Sequence, residues 1–265
     1  MSGRGEAGLQ KSESPVSVQR GTAPIAGSVR WLLASILLWE ATQALRGTIP
    51  EDIGSWPLSL VELLLFSAVP ALTAFAFVRL FLAAVQASYG SLNTYTLTSS
   101  PWAWAFWLGL AVAMTGQGAH MAADIINQAL PDVVANGRFA AQVGFLDEDL
   151  GHWLLGTGFL VTSSVVLFLG QGQGHRAIGG ERTALALGSL VTYGFVIVFV
   201  GVEGGQLVPA ILGSALLTAL GVAVLPPAEI SRDPVGLLVV PGTAAGGLVL
   251  FVWGLLVGGQ PSWPL

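Results

Sequence analysis

The sequence contains no cysteine and few charged residues, and both shortages narrow the classes of protein that it can represent. With no cysteine among its 265 residues, the chain has no disulfide, no thiolate metal ligand and no cysteine nucleophile. Charged residues make up only 9% of the chain, against about 25% in a typical soluble domain. Because a soluble domain needs a charged surface, this composition excludes a soluble globular fold.

Basic residues are also scarce, with ten Lys and Arg in total. No basic patch with interleaved aromatic residues occurs, which argues against a nucleic-acid partner. The single lysine, Lys11, precedes the first apolar segment, and this excludes a retinal Schiff base within the apolar part of the chain. A phosphate-binding Walker loop and a His-Glu-x-x-His zinc motif are absent as well.

Long apolar segments dominate what is present, and hydrophobic residues make up 53% of the chain. A bilayer core of about 30 Å is crossed by about 20 apolar residues in a helix. The sequence therefore predicts an all-α, polytopic transmembrane bundle of seven spanning helices within residues 28–258. Residues 1–27 are predicted to be a disordered cytoplasmic tail and residues 259–265 a short extracytoplasmic tail. The predicted spans lie near 28–46, 57–85, 101–129, 149–170, 183–203, 206–225 and 235–258.

The distribution of basic residues predicts the orientation of the bundle, because cytoplasmic loops are enriched in Lys and Arg. In the seven-span arrangement Arg46 and Arg138 lie on one side, and the other eight lie on the opposite side. The amino terminus is thus predicted to be cytoplasmic and the carboxyl terminus extracytoplasmic. The lack of cysteine and the short loops favour a multi-pass protein of a prokaryotic cell membrane. The eight residues are Arg4, Lys11, Arg20, Arg30, Arg79, Arg176, Arg182 and Arg232.

Polar and ionisable residues concentrate at the predicted outer ends of five helices. On the third helix, Gln117, His120, Asp124, Asn127 and Gln128 recur at spacings of three and four, so they share one face. The fourth predicted span begins near Asp147, Glu148, Asp149 and His152. The neighbouring spans contribute Glu40, Glu62 and Glu203.

These groups are suited to a divalent transition metal such as zinc, copper or iron. The predicted ligands are His120, Asp124, Glu148, Asp149 and His152, and Glu40, Glu62 and Glu203 are predicted as a second shell or proton relay. Asp147 is instead expected to cap the start of the fourth helix. Five glycines, which would let the third and fourth helices approach closely, accompany the two histidines: Gly116, Gly118, Gly151, Gly156 and Gly158.

Three interpretations stay open at this point. A metal at these residues would make the chain a membrane-embedded enzyme that activates water or performs redox chemistry on a lipid-soluble substrate. The same carboxylates would also serve an ion- or proton-coupled transporter that takes up a small solute. In the third interpretation the chain is a structural or partner-binding subunit without catalytic activity, and its polar layer only fixes helix packing.

The predicted helix number and orientation resemble those of the membrane zinc hydrolases that include the alkaline ceramidases and the progestin and adipoQ receptors. Members of that family carry three zinc histidines, two of them as His-x-x-x-His on the last helix, with the site toward the cytoplasm. Here the last predicted span has no histidine, and Gly156 is the fourth residue after His152. The resemblance therefore covers helix number and orientation alone.

Overall fold

The computed structural model describes residues 23–45, 59–134, 137–171, 176–202 and 204–259, and seven long helical segments account for most of them. Their number and order match the predicted segments, although α1 and α4 begin earlier than residues 28 and 149. The segments are α1 Ala23–Leu45, α2 Leu60–Tyr89, α3 Pro101–Ala129, α4 Gly137–Gly170, α5 Gly179–Val202, α6 Leu207–Val224 and α7 Pro234–Val257.

Five of these segments, α2 and α4 to α7, are long and apolar enough to cross a membrane. Large apolar side chains are exposed along the bundle, among them Leu108, Leu212 and Leu256, as expected where lipid replaces water. The chain is therefore an all-α, multi-pass membrane protein. Membrane crossing by α1 and α3, which would complete the seven predicted spans, stays a prediction.

Shorter elements interrupt or connect the long helices. π-helical turns occupy Leu64–Ala68 within α2, Phe145–Gly151 within α4 and Leu190–Gly194 within α5. A fourth π-helical turn, Tyr95–Ser99, precedes α3, and two single-turn helices occupy Pro131–Val134 and Pro227–Ile230. Such turns change the rotational register of a helix, and they often occur at functional sites.

Contacts between side chains and backbones show that successive helices run antiparallel. A Cβ atom added at Gly109 would meet Val161, and one added at Gly116 would meet Gly151, so residue numbers increase along α3 in the direction in which they decrease along α4. Helices two apart in sequence are correspondingly parallel. In α2 and α4, Phe77 lies on Phe159 with ring centroids 5.8 Å apart, and Ser88 donates a hydrogen bond to the Leu169 carbonyl.

The two ends of the bundle differ in charge. One end, called the arginine end here, holds the start of α1, the start of α5 and the α6–α7 connection. Two exposed ion pairs link these segments: Arg30 with Glu181 at 2.7 Å and Arg176 with Glu229 at 3.2 Å. The opposite end, where α3 ends and α4 begins, is called the histidine end. The arrangement agrees with the predicted sidedness of the basic residues, and the orientation in the membrane stays a prediction.

The apolar core lies in the half of the bundle toward the arginine end. Phe81 and Phe106 are fully buried and stacked there at a centroid distance of 4.1 Å, with Leu80, Leu167 and Leu238 in the same cluster. Burial of side chains of this size supplies most of the packing energy of a bundle. The polar groups lie in the other half of the bundle, toward the histidine end.

Candidate functional site

Two histidines from neighbouring antiparallel helices meet at the histidine end. His120 of α3 and His152 of α4 have their Nε2 atoms 3.1 Å apart, and their rings are nearly perpendicular, with an interplanar angle of 82°. His152 is 1% exposed. The antiparallel pairing of α3 and α4 thus brings together two side chains that lie 32 residues apart in sequence.

The other ring nitrogen of each histidine is held by an oxygen acceptor. His120 Nδ1–H donates to an Asp147 carboxylate oxygen at 2.5 Å, and His152 Nδ1–H donates to the Glu148 carbonyl oxygen at 2.9 Å. A carbonyl and an ionised carboxylate can only accept, so both Nδ1 atoms carry the hydrogen. In neutral rings neither Nε2 atom carries a hydrogen, so a shared cation or proton would relieve the repulsion between the two nitrogen lone pairs.

The position of Asp147 corrects the expectation that it caps the start of a helix. In the structure α4 is already helical at Gly137, so Asp147 lies inside a continuous helical segment, within the π-helical turn Phe145–Gly151. Asp147 therefore faces His120 and orients its imidazole. The sequence had suggested Glu148 or Asp149 for the histidines instead.

Glu148 and Asp149 lie farther from the histidine pair. The Glu148 side chain is 55% exposed, and its carboxylate oxygen is 4.0 Å from His152 Nδ1. Asp149 is also exposed, whereas Asp124 borders the same cavity as the histidines. Within the described ranges, no group of three or more His, Asp or Glu side chains is arranged to hold a metal ion. The imidazole pair is thus the only part of the predicted ligand set whose nitrogens converge.

Close backbone contact between α3 and α4 holds the two histidines at this distance. A Cβ atom at Gly116 would lie 2.6 Å from the Gly151 carbonyl oxygen, and one at Gly158 would lie 2.6 Å from Ala113 Cβ. The expectation of glycine-mediated approach is confirmed at these three glycines. It is wrong for Gly118, beside which nothing lies within 4 Å, and for Gly156, whose Cβ would have only an ordinary contact with Val200.

A further contact to His152 comes from the link between α5 and α6, which the sequence did not indicate. A Cβ atom at Gly204 would lie 2.5 Å from Cγ of the His152 ring. The backbone of this link therefore packs directly against the imidazole and fixes its position from the side opposite α3. In the sequence, the Gly204-Gly205 pair between two apolar segments was the feature that could have indicated such a close backbone contact.

Glu62 lies outside the group formed by the histidines. It is the third residue of α2, where its carboxylate accepts from the Ser59 N–H and its own N–H donates to the Ser59 hydroxyl, the reciprocal capping box. Gln128 also donates to the Glu62 carboxylate, at 2.9 Å. Glu62 thus starts a helix and links it to α3. Glu203 falls outside the described residues.

A cavity of about 160 Å³ opens beside the histidine pair between α1, α2, α3, α4 and α5. Its polar end is lined by Glu40, Gln117, His120, Asp124, Asp147 and His152. The rest is apolar and includes Phe66, Phe77, Met114, Leu155, Phe159 and Phe199. No Lys or Arg is among the residues that line it, so the ionisable groups of the polar end are acidic groups and imidazoles.

A second, larger hollow of about 520 Å³ lies between α4, α5 and α6. It is called the lipid-facing groove here, because exposed apolar side chains such as Trp153, Val208 and Leu212 line it. Five residues line both the cavity and the groove, namely His152, Gly156, Phe159, Val196 and Val200. The two spaces therefore adjoin each other at His152.

No protein-family model matches the chain, and no curated protein or solved structure is significantly similar to it. A functional conclusion must therefore rest on the geometry of the histidine pair and its cavity.

Proposed function

We propose that the chain is a membrane-embedded metal protein in which His120 and His152 bind one divalent transition metal ion beside an apolar cavity. The observation that carries this proposal is the orientation of the two rings. Both Nδ1 atoms are engaged by oxygen acceptors, and the two Nε2 atoms lie 3.1 Å apart. Metal-bound histidines in proteins have this second-shell arrangement, in which an oxygen fixes the tautomer and the ring orientation.

The separation of the nitrogens fits a shared ion. Two nitrogen–metal bonds of about 2.0–2.1 Å that span this separation enclose an angle of roughly 100° at the metal. That angle is close to tetrahedral, the usual geometry for zinc. The remaining coordination positions would face the cavity and its acidic groups Glu40 and Asp124, and catalytic metal sites keep such an open position for water or substrate.

The proposed activity is metal-assisted chemistry on a lipid-soluble substrate. A metal with an open position lowers the pKa of a bound water or polarises a substrate oxygen. The apolar lining by Phe77, Phe159 and Phe199 would hold a hydrocarbon group next to that position. The adjoining lipid-facing groove offers a route from the bilayer to His152.

The test is the metal content of the purified full-length protein. We expect one equivalent of zinc, copper or iron per chain by elemental analysis, and its loss in both His120→Ala and His152→Ala. His175→Ala is the matched control, because this third histidine follows a Gly- and Gln-rich stretch of the sequence and lies outside the described residues. A wild-type protein that holds no metal after reconstitution with each of these ions would overturn the proposal.

A second candidate function rests on the same facing lone pairs, since a shared proton would also bridge them. Asp147, His120 and His152 would then form a hydrogen-bonded relay that serves proton-coupled transport. This alternative predicts proton flux in liposomes that resists chelators and is lost in His120→Ala. Chelator-sensitive function favours the metal, and chelator-resistant proton flux favours the relay.

A further inference from the structure

The cavity contains two buried polar atoms without a hydrogen-bond partner, and they are the only such side-chain atoms in the described part of the chain. They are Glu40 Oε1 on α1 and Thr73 Oγ1 on α2, and both residues line the cavity beside the histidine pair. Buried polar groups almost always have a partner, because an unsatisfied one costs about 1–3 kcal/mol. Two unsatisfied atoms in one cavity therefore point to a ligand.

Thr73 differs from the other hydroxyl residues of the helices. Threonine in a helix usually donates back to the carbonyl four residues earlier, and Thr42, Thr115 and Thr192 all do so here, at 2.7–2.8 Å. Thr73 is 5% exposed and makes no such bond. Its hydroxyl is therefore available to a molecule in the cavity.

The charges around the cavity restrict the head group that such a molecule can have. Glu40, Asp124, Asp147 and Glu148 line the polar end, with no Lys or Arg among the lining residues. In the metal-free protein an anionic head group would meet these carboxylates without a compensating cation, and in a medium of low dielectric constant that repulsion is strong. A hydroxyl or ammonium head group would instead donate to the free carboxylate oxygen of Glu40.

The size and lining of the cavity restrict the remainder of the molecule. Its volume of about 160 Å³ is comparable to that of an engineered apolar cavity of roughly 150 Å³ that binds benzene. Phe66, Phe77 and Leu110 line this part. It suits a compact hydrocarbon segment next to the head group, with any further chain leaving toward the bilayer.

We infer that the cavity binds a lipid-soluble molecule whose head group is a hydrogen-bond donor without negative charge, a hydroxyl or an ammonium, bound by Glu40, with the Thr73 hydroxyl as a further polar contact in the same cavity. This inference deepens the proposed function, because it names the substrate class for the same cavity. In the metal-free protein it excludes fatty acids and phospholipid phosphates as the head group.

The test compares three probes of equal chain length, an alkyl alcohol, an alkylamine and a fatty acid, bound to the full-length protein in nanodiscs. On chelator-treated protein we expect one saturable site for the alcohol and the amine, and at least about tenfold weaker binding of the fatty acid. Thr73→Val should weaken alcohol binding by about five- to tenfold, as expected for a lost hydrogen bond. Glu40→Gln should weaken amine binding more than alcohol binding, because an ammonium can form an ion pair with this carboxyl group and a hydroxyl cannot.

A matched pair of variants separates cavity binding from partitioning into lipid. Ala74 lines the cavity, whereas Ala71 is exposed on the same helix. Ala74→Phe should abolish saturable binding and Ala71→Phe should leave it unchanged. Equal binding of the fatty acid, or binding that survives Ala74→Phe, would overturn the inference.

Each measurement is made on metal-loaded and on chelator-treated protein, so that the two proposals fail separately. Saturable alcohol binding by a protein that takes up no zinc, copper or iron would support the cavity ligand and overturn the metal centre. Bound metal with no saturable binding of the alcohol or the amine would support the metal centre and overturn the cavity ligand.

Discussion

Two helix crossings in this molecule both depend on glycine, yet only one of them carries histidine side chains. At the α3–α4 crossing, Gly116 and Gly158 allow close backbone contact beside His120 and His152. At the α5–α7 crossing, a Cβ atom at Gly242 would lie 2.7 Å from Ser189 Oγ. Glycine-mediated contact between helix backbones is thus a general packing feature of this bundle. Whether a crossing can support chemistry depends on the side chains next to it.

The polar contacts of the second crossing are structural. Ser189 Oγ accepts from the Gly242 N–H at 2.8 Å, directly after Pro241 within α7. A proline inside a helix disturbs its backbone hydrogen bonds, and in a membrane neighbouring side chains must compensate. The polar groups involved are paired, and the Tyr193 hydroxyl beside them is bonded to Ser163 Oγ at 3.0 Å. The α5–α7 crossing therefore provides an internal control for the α3–α4 crossing.

The largest expected effect comes from adding a methyl group at each crossing. Gly116→Ala and Gly242→Ala should each destabilise the protein by about 2–3 kcal/mol, because the new Cβ meets backbone atoms that cannot move aside. Only Gly116→Ala should also reduce metal binding. Unfolding in detergent and metal titration measure the two effects, with Gly118→Ala as the control, since nothing lies within 4 Å of that position. An equal loss of metal affinity in Gly242→Ala would mean that the crossings are not independent.

The next effect concerns the polar partner at each crossing. Asp147→Asn keeps the size of the side chain and removes the charge that orients His120, so metal affinity should fall about 10–100-fold. Ser189→Ala leaves the Gly242 N–H without its acceptor and should cost about 1–2 kcal/mol of stability with unchanged metal affinity. Titration with zinc and thermal unfolding of both variants distinguish the two roles. If Asp147→Asn retains full metal affinity, the polar partners at the two crossings do not differ in role as proposed.

A smaller effect is expected at the α5–α6 link. In Gly204→Ala the new methyl group would press on the His152 ring, 2.5 Å from Cγ, and shift its Nε2. Metal affinity should decrease about tenfold, as when a ligand's orientation is disturbed. Gly156→Ala is the control, because its Cβ would have ordinary contact with Val200 at 3.7 Å. Similar affinities in the two variants would show that the link does not position the imidazole.

The smallest effect is predicted for Glu62, whose contacts include the helix-capping box and the Gln128 bond. Glu62→Ala should lower stability by about 1 kcal/mol and leave metal affinity unchanged. Thermal unfolding and zinc titration of this variant provide the measurement. A loss of metal affinity would instead support the role that the sequence predicted for Glu62, beside the metal ligands.

Much of the fold could be predicted from the sequence, because apolar segments of sufficient length have few alternatives to membrane helices. The depth of polar residues along neighbouring antiparallel helices could be predicted as well. That depth, together with the spacing of three and four along α3, brought His120 level with His152, and they do meet.

The contacts that the sequence missed depend on where helices begin and how they rotate. The segment Gly137–Gly144 contains Arg138 and Gln142 and is not a long apolar segment, so the start of α4 was placed too late. The π-helical turn Phe145–Gly151 then changes which carboxylate faces α3. The capping role of Glu62 was missed for a related reason, since its apolar surroundings concealed a helix start at Ser59. Hydrophobic periodicity contains no information about either feature.

The lipid-facing groove beside His152 has a consequence for how such a site would be supplied. A molecule that arrives along Trp153 and Leu212 remains in hydrocarbon throughout, so the bilayer and not the aqueous phase is its reservoir. Each added methylene favours partition into the bilayer by about 0.8 kcal/mol, which is roughly a fourfold rise in local concentration. The length of the hydrocarbon chain would then govern the occupancy of the site even if no residue of the protein contacted the end of that chain.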